Sequence, residues 1–495
     1  MKRLEWARRR AAEAVGHSLS LLLLCLLTLA TPSAGTAQEG CEFGPEGNDV
    51  LRQVTLTGGD AIFYVTRPHL VCEDGIQIWA DSAVAFTSSD MAHLIGSVRY
   101  EDPARTLRAA EARYFSEVGR LQAEGELRVE DRDEGSVIEH GSLVYFRETS
   151  FRREESMTVT ARQNEPRPTA TVVDAGSSAE RDTELVAPDF PSLEPSTEDD
   201  TRRVYVVTGD EILSRGGGYL RSIGSVELVS DSILAFSDTL EYEEAENRLV
   251  LRGSARVDAP DYDLRGASIE LLTPEPAHRE IRASRNAVLT GEDLELTAER
   301  IFLFARQDRL ERLVALPPVK EDTVSSGPPE GDSIDSGPGR PRAVSDDLEI
   351  TADSLEILAP GETLERLFAA GRARSVSTAR DSLTTEQLPE VARTDWLEGD
   401  TIVVTFVPDT TSEVDGERRT RVDRIIASVS ARSLYRLTPS DASAEAGVDP
   451  PAVHYVVGDR ITIVMRDDEV ERMEVEGQTV GVHLEPLPRD PDPEP

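Results

Sequence analysis

Residues 350–358 read ITADSLEIL, and residues 78–86 read IWADSAVAF. Each aspartate, Asp353 and Asp81, follows an alanine, precedes a serine and interrupts an apolar alternation. The surrounding pattern is apolar-x-small-acidic-x-apolar-x-apolar. It recurs from Leu107, Ile138, Val207, Ala235, Leu264, Leu296, Leu397 and Val456, at a period of about 30 residues where nothing intervenes. A second phrase follows about half a period later, a turn-permissive residue and then alternation: GSVRY at Gly96, GELRV at Gly125, GSVEL at Gly224, GSARV at Gly253, NAVLT at Asn286 and GRARS at Gly371. Alternation at period two is the mark of strands half-buried on a core. Across the small-acidic pair the apolar spacing jumps from two to three, as a bulge or bend produces. The pattern predicts an all-β chain of repeated antiparallel strands, each bent at a fixed point so that it can wrap two layers.

The interior is expected at the sixth and eighth positions of the pattern. These are Ala83, Ala112, Tyr114, Leu143, Tyr145, Leu240, Tyr242, Ile269, Leu271, Ile301, Leu303, Leu355 and Ile357. Such residues either pack against one another or leave an apolar groove; small ones such as Ala83 and Ala112 would leave room for a chain.

Segments rich in Pro, Gly, Ser and acid divide the repeats and cannot bury enough apolar surface to order themselves. The expected organisation is a signal peptide over 1–37, a first block over 42–161, a linker over 162–203, a second block over 204–316, a linker over 317–342, a third block with loop inserts over 343–484 and a disordered tail over 485–495. The signal reading rests on Lys2, Arg3, Arg8, Arg9 and Arg10, the apolar run Leu19–Ala30, and small Gly35 and Ala37. That run is about a dozen residues, where a membrane span needs roughly twenty. Export makes a disulfide feasible, and Cys41 and Cys72 are the two cysteines left beyond the signal.

With a formal charge of −40 the chain repels nucleic acid and anionic membrane surfaces. The seven histidines form no HExxH or HxH motif, and there is no GxSxG, phosphate-binding loop or dinucleotide fingerprint. SRGGGYLRS, around Gly217, reads as a hairpin turn. The fourth pattern position also accepts Ala110, Gly141 and Ala267, which argues against a calcium array. The expectation is therefore no catalytic residues, no metal and no cofactor. A parallel β-helix enzyme is disfavoured by a period with two strands per repeat and by only four asparagines, Asn48, Asn164, Asn247 and Asn286.

Repeats of "l-x-A-D-x-l-x-y" followed by "G-x-V-x-l" behind a signal peptide resemble the OstA-like (organic solvent tolerance) family, the fold of LptA, LptC and the N-terminal domain of LptD. The resemblance runs from about Ile78 to Val482. It implies an elongated β-jellyroll in the periplasm, binding lipopolysaccharide or a related glycolipid by its acyl chains. It also implies other lipopolysaccharide-transport jellyrolls, an outer-membrane barrel translocon, or copies of itself head to tail at the sheet edges. This chain departs from the pattern in its several blocks and long acidic inserts, and no barrel follows. The competing reading is a structural envelope scaffold or adhesin with a filled core and no lipid.

Overall fold

The computed structural model describes residues 41–485 except 45–48, 73–74, 133–134, 150–151, 175–202, 217, 231–232, 276–277, 292–293, 307–308, 319–338, 346–347, 361–362, 378–387, 409–419, 438–450 and 467–468. The expected signal peptide, most of both linkers and the tail from 486 lie outside the described residues. The fold is all-β: among the described residues, 32 strands join one hydrogen-bonded antiparallel sheet.

The long strands explain the shape. Met91–Glu101 pairs with Arg105–Phe115 along its whole length, but the register shifts between Ile95 and Val98. On one side of the shift Ala92 and Leu94 are buried; on the other, Val98 and Tyr100 are. Each strand is thus a rung with two arms, and stacked rungs make a folded ladder whose arms face each other across one apolar core. Shorter strands form the same rungs in two pieces. At about 4.8 Å per rung the ladder is on the order of 100 Å long.

The bend is where the two repeated phrases meet. Gly96 and Ser97 both have left-handed backbones, at φ 78° and 46°. Asp81, one rung earlier, donates its N–H to the Gly96 carbonyl at 2.8 Å, and the Ser97 hydroxyl donates to Asp81 Oδ2 at 3.1 Å. A Cβ on residue 96 would sit 2.4 Å from that same Oδ2. The pair Asp353 and Gly371 repeats this, with an N–H to carbonyl bond of 2.9 Å and Arg372 donating to Asp353 Oδ1 at 2.8 Å. The "ADS" phrase is a corner, and the glycine of the next rung is the residue that fits over it.

The corner between Ser284 and Ala287 is carried by Arg285 and Asn286, and the one between Ser428 and Ala431 has no glycine either. Val429 and Ser430 carry the bend at φ 65° and 54°, and Val429 is exposed. A β-branched residue is disfavoured there by roughly 1–2 kcal/mol. Val429→Gly is expected to raise stability by about 1 kcal/mol, read as a higher urea midpoint at unchanged slope. An unchanged or lower midpoint would contradict the strain.

The three expected blocks form one ladder. Across the first linker, Ser156–Thr160 pairs with Glu211–Arg215, and Thr169–Asp174 pairs with Arg203–Thr208. Across the second, Arg309–Leu316 pairs with Ser354–Leu358, and Glu295, Leu296 and Thr297 pair with Val344, Ala343 and Arg342. The expectation of a linker over all of 162–203 is corrected: Thr169–Asp174 is a strand that buries Ala170, and the next strand already begins at Arg203. Likewise Arg342, placed in the second linker, opens a strand. An Arg-Pro pair secures each junction. Arg167 donates to Asp210 Oδ1 at 3.0 Å and to the carbonyls of Gly224 and Ser225 at 2.6 and 2.7 Å. Arg340 lies 3.2 Å from Asp353 Oδ1 and donates to the Arg372 carbonyl at 3.0 Å. These guanidinium groups satisfy corner carbonyls of the following rungs, so an insert at the bend leaves the stacking intact.

At the N-terminal end a disulfide joins Cys41 to Cys72 and ties the first short strand to His69–Cys72. Among the described residues, no helix is long and apolar enough to cross a membrane.

Candidate functional site

The interior differs along the ladder. In the N-terminal third it is filled. Tyr100, from the second arm, lies 6.4 Å from Tyr114 and 6.1 Å from Tyr145, both from the first arm, centroid to centroid. The open side is closed there by charge. Arg105 on the second arm forms a bidentate ion pair with Glu155 on the first, and its Nε lies 3.2 Å from Asp131. The Tyr145 hydroxyl lies 3.3 Å from Glu155 and 3.4 Å from Asp102, while Tyr100 donates to Asp102 at 3.2 Å.

Burial, then the neighbouring Tyr145 and Asp102, pushes the Tyr100 hydroxyl well above its usual range. Hydrogen bonding from Arg105 holds the Glu155 carboxyl below the usual carboxylate range, against the effect of burial. A carboxylate with a depressed folded pKa contributes stability above its unfolded pKa and loses it as pH falls through the folded value. The urea midpoint is therefore expected to drop as pH falls below 4.5. Glu155→Gln should flatten that part of the profile; an identical profile in the variant would contradict the assignment.

Midway along the ladder the arms do not fill the space between them. A cavity of about 490 Å³ lies there, within the roughly 300–1,000 Å³ usual for ligand sites. Leu249, Leu251, Ile281 and Leu313 line it from the first arm; Leu228, Val257 and Leu289 line it from the second. It extends to the arm tips at Asp261, Tyr262, Gly291, Ala359 and Leu364. Small residues, Ala235, Ala259 and Ala305, stand on its walls, and no tyrosine trio fills it. Polar groups sit at the margin: Arg312 is held by Glu356 at 2.6 Å, and burial pushes the Tyr262 hydroxyl up to about 12.

Of the expected interior residues, Ile269, Leu271, Leu303 and Ile357 line the cavity. Ala83, Ala112, Tyr114, Leu143, Tyr145, Leu240, Ile301 and Leu355 are buried in the closed core, and Tyr242 packs against it partly buried. The pattern therefore points inward, but it does not separate lining from filling. The cavity residues it passed over include Leu251 and Ile281, on strands that carry the second phrase, and Leu313, on the strand just before the second linker. The alternation itself was the signal for them. Among the described residues, no group of histidine, cysteine, aspartate or glutamate is placed to hold a metal ion.

No protein-family profile matches the chain, and no curated protein matches it. Among solved structures it is similar to LptH, the LptA homologous periplasmic component of the conserved lipopolysaccharide transport device from Pseudomonas aeruginosa. The identity is 12%, 39% of this chain and 92% of that chain are covered, and the TM-score is 0.14. A score that low carries no argument, so the functional reading stands on the cavity.

Proposed function

We propose that the chain is a periplasmic lipid-carrying bridge without enzymatic activity, holding the acyl chains of lipopolysaccharide or a related glycolipid between its arms. The observation that carries this reading is the cavity, apolar on both walls and reaching the arm tips. Each methylene transferred from water contributes about 0.8 kcal/mol, so acyl chains can be retained without a charged anchor. The last strand, Val480–Leu484, is exposed throughout and, among the described strands, pairs only with Ala452–Arg466. Its free edge suits a further jellyroll protein or a second copy added head to tail.

Native mass spectrometry of the protein purified from the periplasm of a Gram-negative host, followed by organic extraction, tests the reading. A stoichiometric glycolipid is the expected result. A lipid-free protein with an intact fold would contradict it and favour the scaffold, which the filled N-terminal third already resembles.

A further inference from the structure

A second site lies on the outside of the first arm, near its tips. From strand to strand the directly opposed residues there are Phe115, Arg120, Phe146, Ser156, Arg215 and Tyr219. Opposed residues of antiparallel strands share a face. Their sequence neighbours Tyr114, Leu121, Tyr145, Met157 and Leu220 are buried, so this row faces outward. Arginine and aromatic side chains stack along it. Arg120 lies 4.0 Å over the Phe115 ring, Arg152 lies 4.1 Å over Phe146, and Arg215 lies 5.6 Å over Tyr219.

Arg152, Arg153 and Arg215 line one hollow of about 390 Å³ together with Glu154, Glu155, Ser156 and Leu213. Backbone pairing holds the start of the segment that carries the first two: Thr149 and Arg152 exchange hydrogen bonds of 2.8 and 3.1 Å. Many arginines elsewhere on the sheets are matched to carboxylates, as Arg128 is to Glu139, Arg252 to Glu241 and Arg312 to Glu356, although among the described residues Arg108, Arg366 and Arg424 are not. None of the three in the hollow has a carboxylate at ion-pair distance among the described residues. Glu155 is committed to Arg105, which leaves Glu154 as the remaining carboxylate of the lining. On a chain of charge −40 this is a local excess of positive charge. Guanidinium groups stacked on aromatic rings keep their N–H edges free for two-point bonding to a phosphate.

We propose that this hollow binds a phosphate group, carried by a lipid headgroup or by a small phosphate ester. The site goes beyond the interior lipid reading and does not depend on it. The test uses the exported protein, co-sedimented with phosphatidylcholine vesicles with and without phosphatidic acid, and titrated with glycerol phosphate by calorimetry. The triple variant Arg152→Ala/Arg153→Ala/Arg215→Ala is compared with Arg128→Ala/Arg252→Ala, which removes paired arginines. All of these side chains are exposed, and circular dichroism verifies the fold. The expected result is binding that weakens roughly tenfold or more in the triple variant and is retained in the control. Binding to phosphatidic acid vesicles alone identifies a headgroup site, and binding to glycerol phosphate as well identifies a site for soluble esters. Absence of binding to either probe, or equal binding by the triple variant, overturns the proposal.

Discussion

Asp395→Ala is expected to lower the stability of the protein by about 4 kcal/mol, within the range for removing one partner of a buried ion pair. Arg436 is fully buried, and both its backbone N–H and its Nε donate to Asp395 Oδ1, at 2.8 and 2.9 Å. Its Nη1 donates to the Arg393 carbonyl at 2.6 Å. The covering segment is fixed in turn by Trp396, whose indole N–H donates to the Val391 carbonyl at 2.9 Å. Removing the carboxylate strips a guanidinium buried away from water of its ion-pair partner. The double variant Asp395→Ala/Arg436→Met should recover most of the loss, because an apolar pair removes the stranded charge. Urea denaturation of the two variants checks this. A single variant within about 1 kcal/mol of wild type would show that water reaches Arg436.

The corners predict the second large effect. Gly371→Val should cost about 3 kcal/mol, since it places a β-branched residue at φ 81° and a Cβ 2.6 Å from Asp353 Oδ2. Gly59→Val is the comparison: its φ is 99°, but nothing lies within 4 Å of its missing Cβ. It bears the backbone penalty without the contact, so the difference between the two isolates the fit of glycine over aspartate. Equal losses, measured by thermal and urea unfolding, would reduce the repeated phrase to a backbone preference.

That fit also shows what the sequence could disclose. Asp81 with Gly96 and Asp353 with Gly371 were legible as two recurring phrases half a period apart, and this was enough for strands, bends and two layers. Their physical contact was not legible, because it joins different rungs. The corner at Val429–Ser430 carried no glycine and was passed over. Strand Thr169–Asp174 was hidden in a proline-rich stretch, where six alternating residues give little signal, and it is ordered by pairing on both sides. Inward direction was legible for Ile269, Leu303 and Ile357 as much as for Leu143 and Ile301. Which of them border empty space depends on volumes summed across both arms: Tyr100, Tyr114 and Tyr145 fill one region, while Ala235, Ala259 and Ala305 leave another open. Side chains distant in sequence decide that sum.

The account turns on whether acyl chains occupy the space between the arms. The direct measurement is photo-crosslinking in cells, with a photoreactive residue at Leu271, half-buried on the cavity wall, or at Val118, exposed at a tip of the closed N-terminal third. A glycolipid adduct at Leu271 and none at Val118 is the predicted result. A folded protein with no adduct at Leu271, or with equal adducts at both positions, would contradict it.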